Sequence, residues 1–184
     1  MGNGMNKVVD GLYLGNIRDA ENRESLAKNG ITHILSVYNN AKPVFEDKTY
    51  LCIQAADASN QNLSQHFKEC ISFIHECRLS GGSCLVHCWE ECLSAVKAVR
   101  SFVGPNCGFQ EQLQQYQTTQ VSEYRSWLHS SFDPCPFNDQ DQVVALLSQY
   151  TEQQESQRRR ADRRRINQGV SALPSNPEDP QGSS

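Results

Sequence analysis

Cysteine is the residue type with the most chemical potential in this sequence, because a thiolate is both a nucleophile and a metal ligand. The 184 residues include eight cysteines, and Cys84, Cys88 and Cys92 occupy every fourth position. The path from strand to helix through these positions does not place the three thiols on one face. A tetrahedral zinc site needs ligands that converge. The spacing therefore disfavours a zinc or redox site, and we expect neither a metal nor a cofactor.

Two residues near these thiols could take part in acid–base chemistry. His87 comes directly before Cys88, and we expect it to support the local structure rather than to bind a metal. Asp57 follows a short predicted strand over residues 50–53. An aspartate in such a loop often accepts hydrogen bonds from nearby backbone N–H groups. The residues alone therefore leave both a catalytic and a purely structural interpretation open for Asp57.

The elements that must position these side chains follow an alternating pattern of strands and helices. Apolar residues at helical spacing and short apolar runs between turn residues distinguish the two. Short turns between alternating elements predict an α/β fold with a mostly parallel central sheet flanked by helices. The predicted strands are a short pair over 8–9 and 12–14, followed by 31–37, 50–53 and 83–88. The predicted helices cover 19–28, 63–77, 93–104, 109–128 and 139–150.

Charge and composition divide the chain into two parts. Residues 1–157 carry 11 basic and 18 acidic side chains, whereas residues 158–184 carry six arginines and three acidic residues. From residue 151 onward the sequence is rich in Gln, Arg, Ser and Pro without apolar periodicity, which predicts disorder. We therefore expect a folded domain over 1–150 and a disordered tail over 151–184. The net charge of -4 argues against a nucleic-acid partner.

The expected location is the cytoplasm. No apolar run approaches the roughly 18 residues that a membrane span needs. The first residues, MGNGMNK, contain no apolar segment typical of a signal peptide. Eight cysteines without an export signal are most simply reduced thiols of a cytosolic protein.

Several segments together identify a family. The stretch from Val86 to Cys88 resembles the start of the cysteine phosphatase signature, in which His-Cys is followed by five residues, Arg, and Ser or Thr. The sequence resembles the atypical dual-specificity protein phosphatases over roughly residues 1–150. The segments that carry this resemblance are GLYLGN (11–16), THILSV (32–37), AAD (55–57), HFKECISFIHECR (66–78), CLVHC (84–88) and PNCGF (105–109).

The resemblance implies a reaction and a set of residues. Cys88 matches the nucleophile that forms a phosphocysteine intermediate, and Asp57 matches the general acid. Asn106 resembles a family position near the active-site loops, although ordinary turn chemistry explains it equally well. The implied substrates are phosphotyrosine and phosphoserine or phosphothreonine proteins, with partners in mitogen-activated kinase pathways.

The sequence departs from the family directly after Cys88. The five loop positions read WEECL without a glycine, and the position of the signature arginine holds Ser94. The stretch over 89–100 resembles the family's next helix, one element too early. A contiguous deletion between residues 88 and 89 explains both features, and it removes the phosphate loop and the helix after it. We therefore expect little or no catalysis, with a phosphoprotein-binding pseudophosphatase or a misfolded splice or gene-model product as alternatives.

The two ends of the chain carry possible membrane signals. Gly2 lies in a sequence similar to the N-myristoylation pattern, although position 6 is Asn6 rather than Ser or Thr. One acyl chain anchors a protein only reversibly. The segment RRRADRRR (158–165) could add attraction to anionic lipid, act as a nuclear-import signal, or be a solvated surface. Attraction to anionic lipid predicts a peripheral location at the inner plasma membrane. A nuclear-import signal predicts the nucleus, and a solvated surface predicts the cytoplasm.

Overall fold

A five-stranded sheet forms the centre of the fold. The structure is a computed structural model that describes residues 4–88, 106–132 and 135–170. The strands are β1 (Asn6–Val9), β2 (Leu12–Gly15), β3 (Ile31–Val37), β4 (Thr49–Ile53) and β5 (Ser83–Cys88), in the spatial order β1-β2-β5-β3-β4. The pairs β2–β5, β5–β3 and β3–β4 are parallel, and only the β1–β2 hairpin is antiparallel. The predicted α/β class with a mostly parallel sheet is confirmed.

Helices cover the sheet and bury its apolar side chains. The first helices are α1 (Ile17–Ala20), α2 (Arg23–Lys28) and α3 (Phe67–Leu79), and a 3-10 turn at Ser64–His66 precedes α3. One core cluster joins Leu26 of α2 to Ile34 and Leu85, and a second joins Cys77 of α3 to Leu35 and Cys84. Strands that are buried on both faces are typical of parallel sheets, which explains the continuous apolar run of β3.

The prediction of one continuous helix over 19–28 is wrong. The structure has two short helices, and each begins at an asparagine that acts as N-cap. The side chain of Asn16 accepts a hydrogen bond from the N–H of Asp19, and that of Asn22 accepts one from the N–H of Ser25. Asparagine satisfies the free N–H groups at a helix start, so the second asparagine favours a new helix over continuation of the first.

The predicted helix over 109–128 is interrupted in its middle. Helices α4 (Cys107–Gln115) and α5 (Val121–Phe132) are separated by one π-helical stretch, Tyr116–Gln120. The apolar positions Leu113, Tyr116 and Val121 are three and then five residues apart. A step of five residues fits the wider turn of a π-helix. The five-residue step therefore indicates the interruption, which the prediction of one regular α-helix overlooked.

The end of α3 is attached to the β1–β2 turn and to the start of the last helix, α6 (Asp139–Val170). The guanidinium of Arg78 donates two hydrogen bonds to the carboxylate of Asp139, at 2.8 and 2.6 Å, and one to the carbonyl oxygen of Asp10 at 2.8 Å. It also lies 4.0 Å from the ring centroid of Phe137. The side chain of Gln142 bonds to Asp10 through both its oxygen and its nitrogen.

The chain divides into two compact units, Met1–Leu147 and Ser148–Ser184. The predicted end of the last helix near residue 150 is wrong, because α6 continues to Val170 through residues predicted to be disordered. Gln, Glu and Arg are good helix formers, and an i,i+4 ion pair joins Glu155 to Arg159 at 3.6 Å. The predicted helix over 93–104 and residues 171–184 lie outside the described residues. Within the described parts, no helix combines the length and apolar character needed to cross a membrane.

Candidate active site

The carboxyl ends of the three neighbouring strands β5, β3 and β4 form the edge where the candidate site lies. In the sheet register Cys88 stands beside Val37, and Val37 stands beside Ile53. Asp57 follows Ile53 by four residues, in the loop that leaves the same edge. Ligand sites of open parallel α/β sheets lie at this edge, because the loops after adjacent strands meet there. The backbone register thus brings the predicted nucleophile position and the loop of the predicted acid to one side of the sheet.

His87 is buried beneath this edge, and it is only 4% exposed. Its Nε2 atom lies 2.7 Å from the hydroxyl oxygen of Ser36 on β3, and the ring of Tyr38 lies 5.6 Å away between centroids. Burial lowers the pKa of His87 to about 4, because a buried imidazolium loses its hydration. The residue is therefore neutral at neutral pH and joins two parallel strands, which agrees with the predicted supporting role.

Asp57 accepts a hydrogen bond from a residue that is distant in the sequence. The amide nitrogen of Asn106 donates a 2.7 Å hydrogen bond to Oδ1 of Asp57, although 49 residues separate the two. The amide oxygen of Asn106 accepts a 3.0 Å hydrogen bond from the N–H of Phe109 and so caps the start of α4. One side chain thus caps a helix and also contacts the predicted acid, and the resemblance of Asn106 to a family position near the active-site loops stays a prediction.

Two other residues of α4 fix the same loop. Gly108 lies so close to the backbone of Ser59 that a Cβ atom at this position would overlap it. The side chain of Gln112 accepts a 2.7 Å hydrogen bond from the N–H of Leu63 and donates one of 2.7 Å to the carbonyl of Gln61. We call these three residues, Asn106, Gly108 and Gln112, the loop clamp. The sequence analysis missed Gln112, because a polar residue on a helix carries no local sign of its distant partner.

Three described cysteines near the sheet, Cys70, Cys77 and Cys84, are poor candidates for an alternative nucleophile. Burial raises the pKa of the Cys84 thiol far above its ordinary value, and it raises that of Cys70 to about 11. Cys77 is also buried, and burial raises its pKa as well. Buried protonated thiols are inert. Among the described residues, no three His, Cys, Asp or Glu side chains come together as metal ligands.

Three predicted positions cannot be placed in this geometry. Cys88 ends β5, but its side chain lies outside the described atoms. Gly2 and Ser94 lie outside the described residues altogether, as do the glutamates at 90 and 91. The structure therefore describes the strand that leads to the predicted nucleophile and the described contacts of the predicted acid.

The chain is similar in sequence to known proteins. The profile of the dual specificity phosphatase catalytic domain matches residues 12–90. Dual specificity protein phosphatase 22-A of Danio rerio is 67% identical over 177 aligned positions, which cover 84% of this chain and 85% of the relative. Because 84% of 184 residues is about 155, about 22 of those 177 positions hold no residue of this chain.

Solved structures show the same similarity. The crystal structure of DUSP15 superposes with a TM-score of 0.67 at 40% identity and covers 73% of this chain and 100% of its own. That of the human tyrosine phosphatase-like serine/threonine/tyrosine-interacting protein gives a TM-score of 0.56 at 27% identity, covering 62% of this chain and 95% of its own. With the sheet, the helices and most of the sequence in common with such relatives, the chain belongs to the dual-specificity protein phosphatases, a family of hydrolases.

Proposed function

We propose that this chain is a dual-specificity phosphatase with little or no catalytic activity, which acts as a binding module for phosphoproteins. One observation carries the proposal. The six residues after Cys88 are WEECLS, so the loop has no glycine, and Ser94 stands where the family signature has its arginine. The loop after Cys88 has thus lost the residues that bind phosphate. The loop that carries Asp57, which we call the acid loop, is retained together with the loop clamp.

The reaction explains why these residues decide activity. A Cys88 thiolate would attack phosphorus and form an S–P bond while Asp57 protonates the departing oxygen, and water would then cleave the phosphocysteine. Amide N–H groups and a bidentate guanidinium must neutralise the phosphate oxygens throughout. The loss of one such donor typically costs on the order of 100- to 1000-fold in rate. Loss of the arginine together with several amides leaves the reaction without its main electrostatic stabilisation.

The comparisons support a deletion as the origin of this change. The family profile ends at residue 90, two positions after Cys88. The alignment with the Danio rerio relative leaves about 22 positions without a counterpart in this chain. A single segment of about 22 residues would accommodate the remainder of a phosphate loop and a helix of about five turns, at about 3.6 residues per turn.

The retained contacts favour a folded binding module over a chain that does not fold. Residues on both sides of the proposed deletion meet in the loop clamp, where Asn106 contacts Asp57 and Gln112 contacts Leu63. The likeness to a structure whose name describes a phosphatase-like interacting protein also supports a binding role. Phosphoproteins of mitogen-activated kinase pathways are the proposed ligands, by analogy with the family.

Hydrolysis of an aryl phosphate tests the catalytic part of the proposal. The purified 184-residue chain is compared with the Danio rerio relative, and the Cys88→Ser variant of each gives the background. We expect the turnover of this chain to be at least 100-fold below that of the relative, given the number of lost donors. Turnover within tenfold of the relative, abolished by Cys88→Ser, would show that the chain is an active phosphatase.

Two further measurements distinguish the binding module from a misfolded product. A binding module captures phosphoproteins from a lysate through surfaces outside the lost phosphate loop, and Cys88→Ser leaves that capture unchanged. A misfolded product is insoluble or lacks a cooperative thermal transition. A soluble, cooperatively folded chain that captures no phosphoprotein would refute the binding role.

Acylation at Gly2 is a separate proposal that places the chain at the inner face of the plasma membrane rather than free in the cytoplasm. Its support is the MGNGMN start, which matches the myristoylation pattern except for Asn6. Incorporation of an alkynyl myristate in cells, with Gly2→Ala as the control, tests it. Absence of a signal that depends on Gly2 would end the proposal.

A further inference from the structure

A stripe of opposite charges lies along one face of α6 within the unit Ser148–Ser184. Side chains three or four residues apart share a face of a helix, and those of the stripe are all exposed. Its order along the helix is two acids, one serine and three bases. The stripe consists of Glu152, Glu155, Ser156, Arg159, Arg160 and Arg163. We call it the charge stripe.

Among the described side chains of α6, the stripe holds one ion pair and an excess of positive charge. Glu155 pairs with Arg159 at 3.6 Å, but both side chains remain mostly exposed. Arg159 and Arg163 are four residues apart, so two like charges face each other on adjacent turns, which destabilises an isolated helix. Partners that bring carboxylates to the basic half and guanidinium groups to the acidic half would relieve this repulsion.

We propose that the charge stripe binds the charge stripe of a second copy of this chain in an antiparallel arrangement. A two-fold axis midway between positions 157 and 158 places Glu152 of each copy opposite position 163 of the other. The same axis places Glu155 opposite position 160. Each of these acid–base pairs occurs twice, which is the self-complementarity that an isologous dimer requires. Antiparallel helices also align their dipoles favourably.

The order of the charges favours a second copy over an anionic membrane. A lipid surface attracts arginines but repels Glu152 and Glu155, which lie on the same exposed face. A second copy pairs both signs at once. Exposed ion pairs are individually weak and are screened by salt. The dimer should therefore be weak, concentration-dependent and sensitive to ionic strength.

Charge exchange between two variants tests the proposed dimer with the full-length chain. Variant E152R/E155R has an entirely basic stripe, and variant R160E/R163E has a mainly acidic one. Sedimentation equilibrium in low salt should show dimer for the unmodified chain and at least about a tenfold weaker association for each variant alone, because like charges then oppose each other. An equimolar mixture of the two variants should recover a heterodimer, and the fourfold exchange E152R/E155R/R160E/R163E should recover the homodimer.

The controls separate this contact from loss of the helix and from nonspecific attraction. Ala161 is exposed, lies about 180° around the helix from Glu152 and is not three or four residues from any member of the stripe, so A161E should leave association unchanged. Circular dichroism of each variant reports helix content, and the mixture experiment remains decisive even if single variants lose some helix. A monomeric unmodified chain in low salt, unchanged association in either double variant, or a mixture that stays monomeric would overturn the proposal. So would binding of a monomer to phosphatidylserine vesicles that is lost in R160E/R163E and increased in E152R/E155R.

Discussion

The amide of Asn106 holds the carboxylate of Asp57 at 2.7 Å, while the oxygen of the same amide caps α4. One side chain thus couples a helix start to a loop that follows β4. The two residues lie on opposite sides of the point where the sequence departs from its family. Their contact attaches the start of α4 to the loop that carries Asp57.

Substitution of Asn106 should separate its two roles. Asn106→Ala removes the helix cap and the bond to Asp57 and should lower the free energy of unfolding by about 1–2 kcal/mol. Asn106→Asp retains a capping oxygen but places a like charge beside Asp57. We expect the aspartate variant to regain stability as pH falls through the carboxylate range, whereas the alanine variant should not. Urea denaturation at several pH values measures this, and two parallel pH profiles would contradict it.

Gly108→Ala should disrupt the packing of α4 against the acid loop. The added Cβ would overlap the backbone of Ser59, so the helix or the loop must shift. Overpacking of this kind typically costs about 1–3 kcal/mol, which exceeds the gain in helix propensity. Glu111→Ala, at an exposed position of the same helix, is the matched control. A Gly108→Ala variant as stable as this control would show that α4 does not approach Ser59 closely.

The buried His87 should make folding stability depend on pH. Its folded pKa of about 4 lies below its ordinary value of 6.5, so the unfolded chain binds a proton that the folded chain does not bind between these values. Stability should therefore fall as pH decreases from 6.5 towards 4, by about 3 kcal/mol over the whole interval. His87→Gln should make this dependence shallower without abolishing it, because burial also lowers the pKa values of His33 and His75. His129→Gln, at an exposed position, is the matched control. An unchanged slope in His87→Gln would contradict the burial of a neutral imidazole.

Arg78 and Asp139 should be energetically coupled. Arg78→Lys keeps the positive charge but loses the two-point contact, and the lysine lacks the planar group that lies over Phe137. We expect a loss of about 1–3 kcal/mol, below the cost of breaking a fully buried pair, because the Asp139 side chain is 40% exposed. A double-mutant cycle with Asp139→Asn measures the coupling. Strict additivity of the two substitutions would show that the pair contributes nothing.

The proposed deletion should leave a domain of limited thermal stability. A lost core helix removes several buried apolar side chains, each contributing about 1.5–3 kcal/mol, although the conformational entropy of the removed residues no longer opposes folding. We expect a cooperative transition below about 60 °C for this chain and a higher one for the Danio rerio relative. Differential scanning fluorimetry of both proteins compares them. An equal or higher melting temperature for this chain would refute the argument.

Local patterns in the sequence predicted much of the scaffold. The apolar run of β3 and the helical spacing of α3 specify strand and helix directly, because each depends on neighbours within a few residues. The same local signals gave a wrong prediction for two helices. A second N-cap at Asn22 begins a new helix within 19–28, and a five-residue step marks the π-helical stretch within 109–128. The helix beyond residue 150 was missed because its formation depends on propensity and charge pairs rather than on an apolar face.

The sequence by itself determined the position of Cys88 at a strand end, the serine at position 94 and the absence of glycine between residues 89 and 93. Only the tertiary structure showed that Asn106 and Gln112 hold the acid loop and that His87 bonds to Ser36. Hydrogen-bonding partners more than 45 residues apart leave no periodic trace in a sequence. They are selected by the packing of helices on a sheet, and that packing depends on the whole chain.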